Sequence, residues 1–462
     1  MPDTQFDLVV VGAGPGGYVA AIRAAQLGMK TAIVDREFLG GVCLNVGCIP
    51  TKALIRNAQV VDIFNHAQEY GIQVEKFKAD FGAAIDRSRV VSNRLVKGVE
   101  FLMKKNKIQV FMDEAILTAS NRVELKKSGQ TLQAQNIILA TGARAISIPG
   151  LPIDGKDVIA YREALFLKAL PSPVVIVGAG AIGMEFAYVW RAYGADVTVI
   201  EALPHLLPKE DAEVSAELEK AMSKFGIKYR LNTKVESAEK IGSNVRLKVS
   251  SAGKSETIDA QKVLVAISVK ANTENLGLDA LNVQMDRGAI GVDEFGRTNV
   301  PNIFAIGDVT MKLPLAHVAS AMGVIAAETI AQKETRGLDV NAMPRCTYCV
   351  PQVASLGLTE EQARASGAEV RVGKFSFRNN GKALGNNEDD GFVKFVVDKK
   401  YGEILGVHMI GSEVTELTGE LALAKSMEMT PLEIAHAVHS HPTLSEVVME
   451  AALDAMGEAL HQ

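Results

Sequence analysis

Two cysteines, Cys43 and Cys48, lie in the run Gly-Gly-Val-Cys-Leu-Asn-Val-Gly-Cys-Ile-Pro-Thr-Lys at residues 40–52, shortly after a strand and a glycine-rich loop. Four residues separate them, and on a helical path one turn brings the sulfurs near enough to bridge with little backbone movement. A thiol pair at that spacing beside a dinucleotide-type loop points to redox chemistry. Zinc is a poor fit, because Cys346 and Cys349 are far off in sequence and no His or carboxylate completes a ligand set near Cys43. Two small core thiols are the ordinary alternative, since free cysteine is among the most buried residue types. The two preceding glycines, the Pro50-Thr51-Lys52 that follows and the loop upstream weigh against it.

The elements that position these thiols are written around them. Residues 6–11 form an apolar β run, followed by Gly12-Ala13-Gly14-Pro15-Gly16-Gly17, a helix-like stretch at 18–27 and a second strand at 31–34 that ends in Asp35. Strand, GxGxxG turn, helix, strand and acid is the order of a dinucleotide-binding βαβ unit. Its glycines let the backbone approach a pyrophosphate, the helix N-terminus supplies N–H groups, and the acid takes ribose hydroxyls. The same grammar recurs at residues 174–177, Gly178-Ala179-Gly180-Ala181-Ile182-Gly183, a helix through Tyr193, and a strand at 196–200 ending in Glu201. One such motif leaves a plain glycine turn open. Two complete contexts predict a dinucleotide at each.

Between the units, residues 137–142 read as a strand entering a tight turn at Ala140-Thr141-Gly142, and Pro149-Gly150 punctuates a boundary. Residues 303–308 are a buried strand closed by Gly307-Asp308, whose carboxylate is placed either to accept hydrogen bonds from a polyol or ribose chain or to cap a turn. From Met343 the texture changes to alternating strands at 391–397 and 404–410 and then helices, with no further nucleotide motif. Cys346-Thr347-Tyr348-Cys349 lacks a βαβ context and reads as structural. The expected fold class is α/β, with two Rossmann-like dinucleotide-binding domains and a C-terminal α+β domain suited to dimerisation. The expected divisions are residues 1–149, 150–271, a central segment 272–342 that completes the first domain, and 343–462.

The bulk properties narrow the function classes. A chain of 462 residues is too long for one core. A net charge of -5 without a Lys/Arg block argues against nucleic acid or an anionic membrane as partner. The start, Met-Pro-Asp-Thr-Gln-Phe-Asp, resembles neither a signal nor a transit peptide, so a cytoplasmic setting is expected. The most apolar stretch, residues 174–190, holds three glycines and Glu185 and reads as a buried strand and helix rather than a membrane span.

In this order the pieces resemble the flavin-dependent pyridine nucleotide-disulfide oxidoreductases, most closely the dihydrolipoamide dehydrogenases, over essentially the whole chain. The most specific stretches are residues 40–52 and His439-Ser440-His441-Pro442-Thr443-Leu444-Ser445-Glu446; the glycine motifs are supportive. The resemblance implies FAD at the first unit, with Gly12, Gly14, Pro15, Gly16, Gly17, Asp35, Lys52, Thr141, Gly142, Asp308 and Ala316 as its contacts, and NAD at Gly178, Gly180, Gly183 and Glu201. His317, close in sequence to Asp308, is expected in the flavin pocket, with a core histidine as its alternative. The resemblance also implies that Cys43 meets the substrate, that Cys48 stands next to the flavin, and that Lys52 sits near the flavin and pairs with Glu185. His441 becomes a base oriented by Glu446 and reaching the disulfide of the other subunit, with His439 behind it. From residue types alone, Glu446 closes a capping box with Thr443, and His436, His439 and His441 have metal-ligand chemistry but no fourth donor.

The implied reaction is oxidation of a protein-bound dihydrolipoyl group by NAD, through FAD and a Cys43–Cys48 disulfide, in a homodimer. The partner is then a lipoyl-bearing acyltransferase or a glycine-cleavage carrier protein. Glutathione reductase-like enzymes place arginines after the second strand of the second unit, where this chain has Glu201-Ala202-Leu203-Pro204-His205-Leu206-Leu207. Mercuric reductases carry a C-terminal cysteine pair, and this chain ends Glu-Ala-Leu-His-Gln. Soluble transhydrogenases lack the pair at 43 and 48. A non-catalytic flavoprotein subunit is the reading from another class, and the intact Cys43, Cys48, His441 and Glu446 set opposes it.

Overall fold

The computed structural model describes residues 4–461, and its first sheet grows from β1 (Gln5–Val11). In β1, Leu8, Val9 and Val10 are all fully buried, because a central parallel strand has a covered face on each side. Their alternation decides what each touches. Leu8 and Val10 face helices, packing with Ala20, Ala24, Val318 and Met322. Val9 and Val11 face the opposite layer, with Leu117, Val123, Leu276 and Ile290.

After β1 come α1 (Pro15–Gln26), β2 (Thr31–Asp35), α2 (Gly41–Val46), α3 (Cys48–Asn65), α4 (Phe81–Lys105), β3 (Gln109–Met112), β4 (Ala115–Ala119), β5 (Arg122–Leu125) and β6 (Thr131–Leu139). The sheet order is β3-β2-β1-β6-β5-β4, and the late strand Ile303–Ala305 joins it in parallel against β6, Ile303 opposite Ile137. The chain therefore returns to its first sheet after building a second. That second sheet is wholly parallel, in the order Lys228–Arg230, Val197–Ile200, Val174–Val177, Lys262–Val265, Val158–Ile159. A three-stranded antiparallel meander (Lys234–Ile241, Asn244–Ser251, Lys254–Ala260) packs Val245, Leu247 and Val249 against its Val175, Val177 and Val263. The C-terminal region is a five-stranded sheet around Gln352–Gly357 and Ile404–Gly411, covered by the helix Glu446–Met456 through Val447, Val448 and Ala451.

Two expected elements shift. Helix α1 begins at Pro15 rather than at Tyr18, because proline's fixed φ and missing N–H suit the first helical turn. The thiols do not share one continuous helix: α2 ends at Val46, Gly47 sits at φ -148° and ψ -116°, and Cys48 opens α3. The Asn45 amide donates to the carbonyls of Leu39 and Gly41, both at 2.9 Å, and holds the short α2 turn in place.

Candidate active site

Gly12 leaves β1 at φ +106°, and a Cβ there would stand 2.2 Å from the Ala140 carbonyl oxygen, so the turn requires glycine twice over. The acid ending β2 braces this turn: Asp35 accepts from the Ala13 N–H at 2.7 Å and from the N–H groups of Glu37 and Phe38 at 2.8 and 3.1 Å. The second unit repeats the device. Gly178 has φ +107°, and Glu201, 9% exposed, accepts from the N–H groups of Ala179 and Leu203 at 2.8 and 2.9 Å.

The first turn opens into a cavity of about 810 Å³, lined among others by Gly12, Gly14, Pro15, Gly16, Asp35, Cys43, Cys48, Thr141, Gly142, Asp308 and Ala316. Thr141 is fixed by a reciprocal pair, its hydroxyl donating to the Asn272 carbonyl at 2.7 Å and the Asn272 amide to its own carbonyl at 2.9 Å. Asp308 follows the strand Ile303–Ala305, and burial pushes its carboxyl up to about 6. A Cβ on Gly14 would meet no protein atom within 4 Å. A bare glycine backbone at the head of α1 and a buried carboxyl in one elongated cavity fit a dinucleotide with its pyrophosphate at the turn and its hydroxyls at the acids. Of the other expected flavin contacts, Gly17, Lys52 and His317 do not line the cavity, and the His317 Nε2 lies 2.8 Å from the Pro344 carbonyl oxygen.

Both redox-candidate thiols reach the cavity, and both are free. Sharing a proton with Cys43 lowers the Cys48 thiol below the usual value, with Lys52 assisting and burial opposing, and raises Cys43, which burial raises further. Lys52, one turn after Cys48 on α3, donates to both Glu185 oxygens at 2.9 Å. Glu185 is 4% exposed within the helix Ala181–Ala192, where Phe186, Tyr188 and Trp190 are buried, and a carboxylate in such surroundings requires a partner. Burial works against the Lys52 ammonium, but Glu185 and Cys48 outweigh it and hold its pKa above the usual lysine value.

His441 lies elsewhere, 78% exposed and outside the cavity lining. Its Nδ1 is 2.8 Å from Glu446 Oε1, while Glu446 Oε2 accepts the Thr443 N–H at 2.8 Å. Glu446 thus orients the imidazole and caps the chain turn at once. His439 is held by Glu420 at 3.0 Å and by the Ala437 carbonyl at 2.9 Å. Cys349 is fully buried, and burial raises its thiol, as it raises Cys346 to about 11, so neither resembles the low-pKa Cys48.

Sequence reasoning missed several participants. Tyr161 and Asn272 line the cavity, and the Arg89 guanidinium on α4 donates to the Asn45 carbonyl at 2.5 Å, between the two thiols in sequence. No spacing signal marks them. Tyr348 sits 4.4 Å from Lys52 Nζ by its ring centroid, and its one signal was membership of the Cys346–Cys349 motif.

A pyridine nucleotide-disulphide oxidoreductase model matches residues 6–323, and the dimerisation domain of the same oxidoreductases matches residues 343–452. The chain belongs to the pyridine nucleotide-disulphide oxidoreductase family. Among its relatives, the dihydrolipoyl dehydrogenase of Rhizobium etli is 47% identical over 477 residues, covering 99% of each chain. That of Mycobacterium bovis is 50% identical over 464 residues, covering 99% of this chain and 100% of its own. Among solved structures, LpdA from Mycobacterium tuberculosis superimposes with a TM-score of 0.90 at 26% identity, covering 97% of this chain and 99% of its own. The Cu(II) complex of the HOCl-induced flavoprotein disulfide reductase RclA from Escherichia coli gives 0.87 at 26%, covering 97% and 99%. The family assignment agrees with the expected α/β fold and C-terminal dimerisation domain. Among the described residues, no helix is long and apolar enough to cross a membrane.

Proposed function

We propose that the protein is a dihydrolipoyl dehydrogenase: it oxidises a protein-bound dihydrolipoyl dithiol to the lipoyl disulfide, with NAD as final acceptor. The observation that carries this reading is the thiol pair opening into the same cavity as the first glycine turn, with Lys52 one helical turn beyond Cys48. The relatives named above supply the substrate class. Gly12, Gly14, Gly16, Asp35, Thr141 and Asp308 would hold FAD, and Gly178, Gly180, Gly183 and Glu201 would hold NAD. Bound FAD supplies the conversion between the electron pair of a dithiol and a hydride for NAD.

The steps belonging to this chain's residues are proton transfer and thiol exchange. In the oxidised enzyme, His441 of one copy takes the proton of a substrate thiol, and the thiolate attacks Cys43 Sγ of the other copy. The Cys43–Cys48 bond breaks, and Cys48 leaves as a thiolate beside Lys52. The second substrate thiol then attacks the substrate sulfur of the mixed disulfide, releasing the lipoyl disulfide and returning Cys43 as a thiol. Glu446 stabilises the imidazolium formed on the way. The partner is a lipoyl-bearing acyltransferase or a glycine-cleavage carrier protein, since this chain carries the thiol machinery and the substrate dithiol must be presented to it.

Steady-state assays of the purified homodimer with dihydrolipoamide and NAD, against glutathione disulfide and NADPH, test the reading. NADH formation in the first pairing with no turnover in the second is expected. The reverse pattern contradicts it.

A further inference from the structure

Three segments far apart in the chain meet at the Lys52–Glu185 pair. Lys52 comes from α3, Glu185 from the helix Ala181–Ala192, and Tyr348 from the loop after the strand Arg345–Thr347. Tyr348 touches both charges. Its backbone N–H donates to Glu185 Oε1 at 3.1 Å, and its ring centroid stands 4.4 Å from Lys52 Nζ. We propose that Tyr348 is a positioning residue: its N–H fixes the Glu185 carboxylate and its ring face caps the Lys52 ammonium, so that the ammonium stays beside Cys48. The proposal rests on the reading of Cys48 as the flavin-side thiol.

The physical argument begins with the freedom of a lysine. Its four-carbon stem reaches water easily, and the Lys52 side chain is 34% exposed against 5% for Glu185. An ion pair alone does not decide where on the carboxylate the ammonium sits. A ring over the ammonium does, because the negative face of the aromatic system attracts the cation and closes that direction to water. Cys48 and Lys52 are four residues apart on one helix, hence on one face, so the position of Nζ sets how strongly the thiolate is favoured. The titratable groups facing this cluster are Cys43 on α2, Tyr161, Glu185, and Tyr348, Cys346 and Cys349 of the C-terminal region, with Glu416 acting on Tyr348 and Glu210 on Cys346. Burial raises the Tyr348 phenol to about 12, so its ring stays neutral through the working range. The loop carrying Tyr348 belongs to the segment matched by the dimerisation domain, which makes the ionisation of Cys48 sensitive to how that domain is seated.

The test uses FAD-loaded homodimer carrying Cys43→Ser, so that Cys48 is the one thiol of the pair, and follows the long-wavelength absorbance of a thiolate against flavin as a function of pH. With Tyr348 intact the band should be present; its absence overturns the flavin-side reading and the proposal with it. Adding Tyr348→Met should move the midpoint upward by up to about one pH unit, roughly a tenfold loss of thiolate below it, while Tyr348→Phe should leave it near its starting value. Band present with the midpoint unmoved in Tyr348→Met, or moved equally by Tyr348→Phe, overturns the proposal alone. Fluorinated phenylalanines at 348 keep the ring's shape if Tyr348→Met loses its flavin: the midpoint should climb with each fluorine, and a flat series is contrary. In a Lys52→Met background the effect of Tyr348→Met should vanish. A shift that persists there means that Tyr348 does not act through Lys52.

Discussion

Asp35 and Glu201 both accept N–H groups of the glycine turn they face. In the proposed reading, the carboxylate that would select the nucleotide also holds the loop that would receive its phosphates. Glu201→Ala should therefore narrow the NAD/NADP ratio of kcat/KM mainly by weakening NAD, through lost ribose contacts and two unpaired N–H groups worth about 1–3 kcal/mol together with them. An unchanged ratio, measured by steady-state kinetics with both nucleotides, would sink that role. Glu446 divides its oxygens in the same way, one for His441 and one for the Thr443 N–H, while the Thr443 hydroxyl turns to the Ser440 carbonyl and Ser445, so only half of the expected capping box forms. At this scale the Cys43–Cys48 pair was legible from residue type and short spacing, whereas Lys52 and His441 were singled out through the family resemblance of the runs that hold them. Tyr348 was not, since its contact with Lys52 spans nearly three hundred residues and any loop tyrosine looks the same in one dimension.

The glycine turns set the element scale. Gly12 and Gly178 both occupy positive φ, and each abuts a carbonyl of a neighbouring strand end, Ala140 at 2.2 Å and Ala266 at 2.6 Å from the added Cβ. Substituting alanine at either combines backbone strain with overpacking and should cost about 1–3 kcal/mol or more of local stability. Gly12→Ala should be purified with little or no flavin, whereas Gly178→Ala should keep flavin and bind NAD poorly, read by flavin absorbance and by NAD titration calorimetry. Equal flavin content in the two variants would mean that the turns are interchangeable in a way the fold does not allow. Strands such as Val174–Val177 were legible as short apolar runs because parallel strands are covered on both faces. The meander strand Lys234–Ile241 was not, since it is exposed along nearly all its length and offers no apolar alternation to read. Likewise the break at Gly47 between α2 and α3 hid inside a motif that reads as one helical turn.

On the scale of the whole molecule, one chain keeps the groups of the proposed chemistry apart: Cys43 and Cys48 line the cavity while His441 stands exposed, just before the last helix. In the proposed reading, a two-fold dimer built through the C-terminal domain would make two sites, each with the thiols of one copy and the histidine of the other. The most direct measurement is complementation. Cys43→Ser and His441→Ala homodimers should each be nearly inactive in dihydrolipoamide oxidation while binding FAD and NAD normally. Dissociated, mixed in equal amounts and randomly reassociated, they should form heterodimers as about half of the population, each with one site that carries both lesions and one that carries neither. The mixture should then recover roughly a quarter of wild-type activity. No recovery after verified subunit exchange would contradict a site shared between two copies.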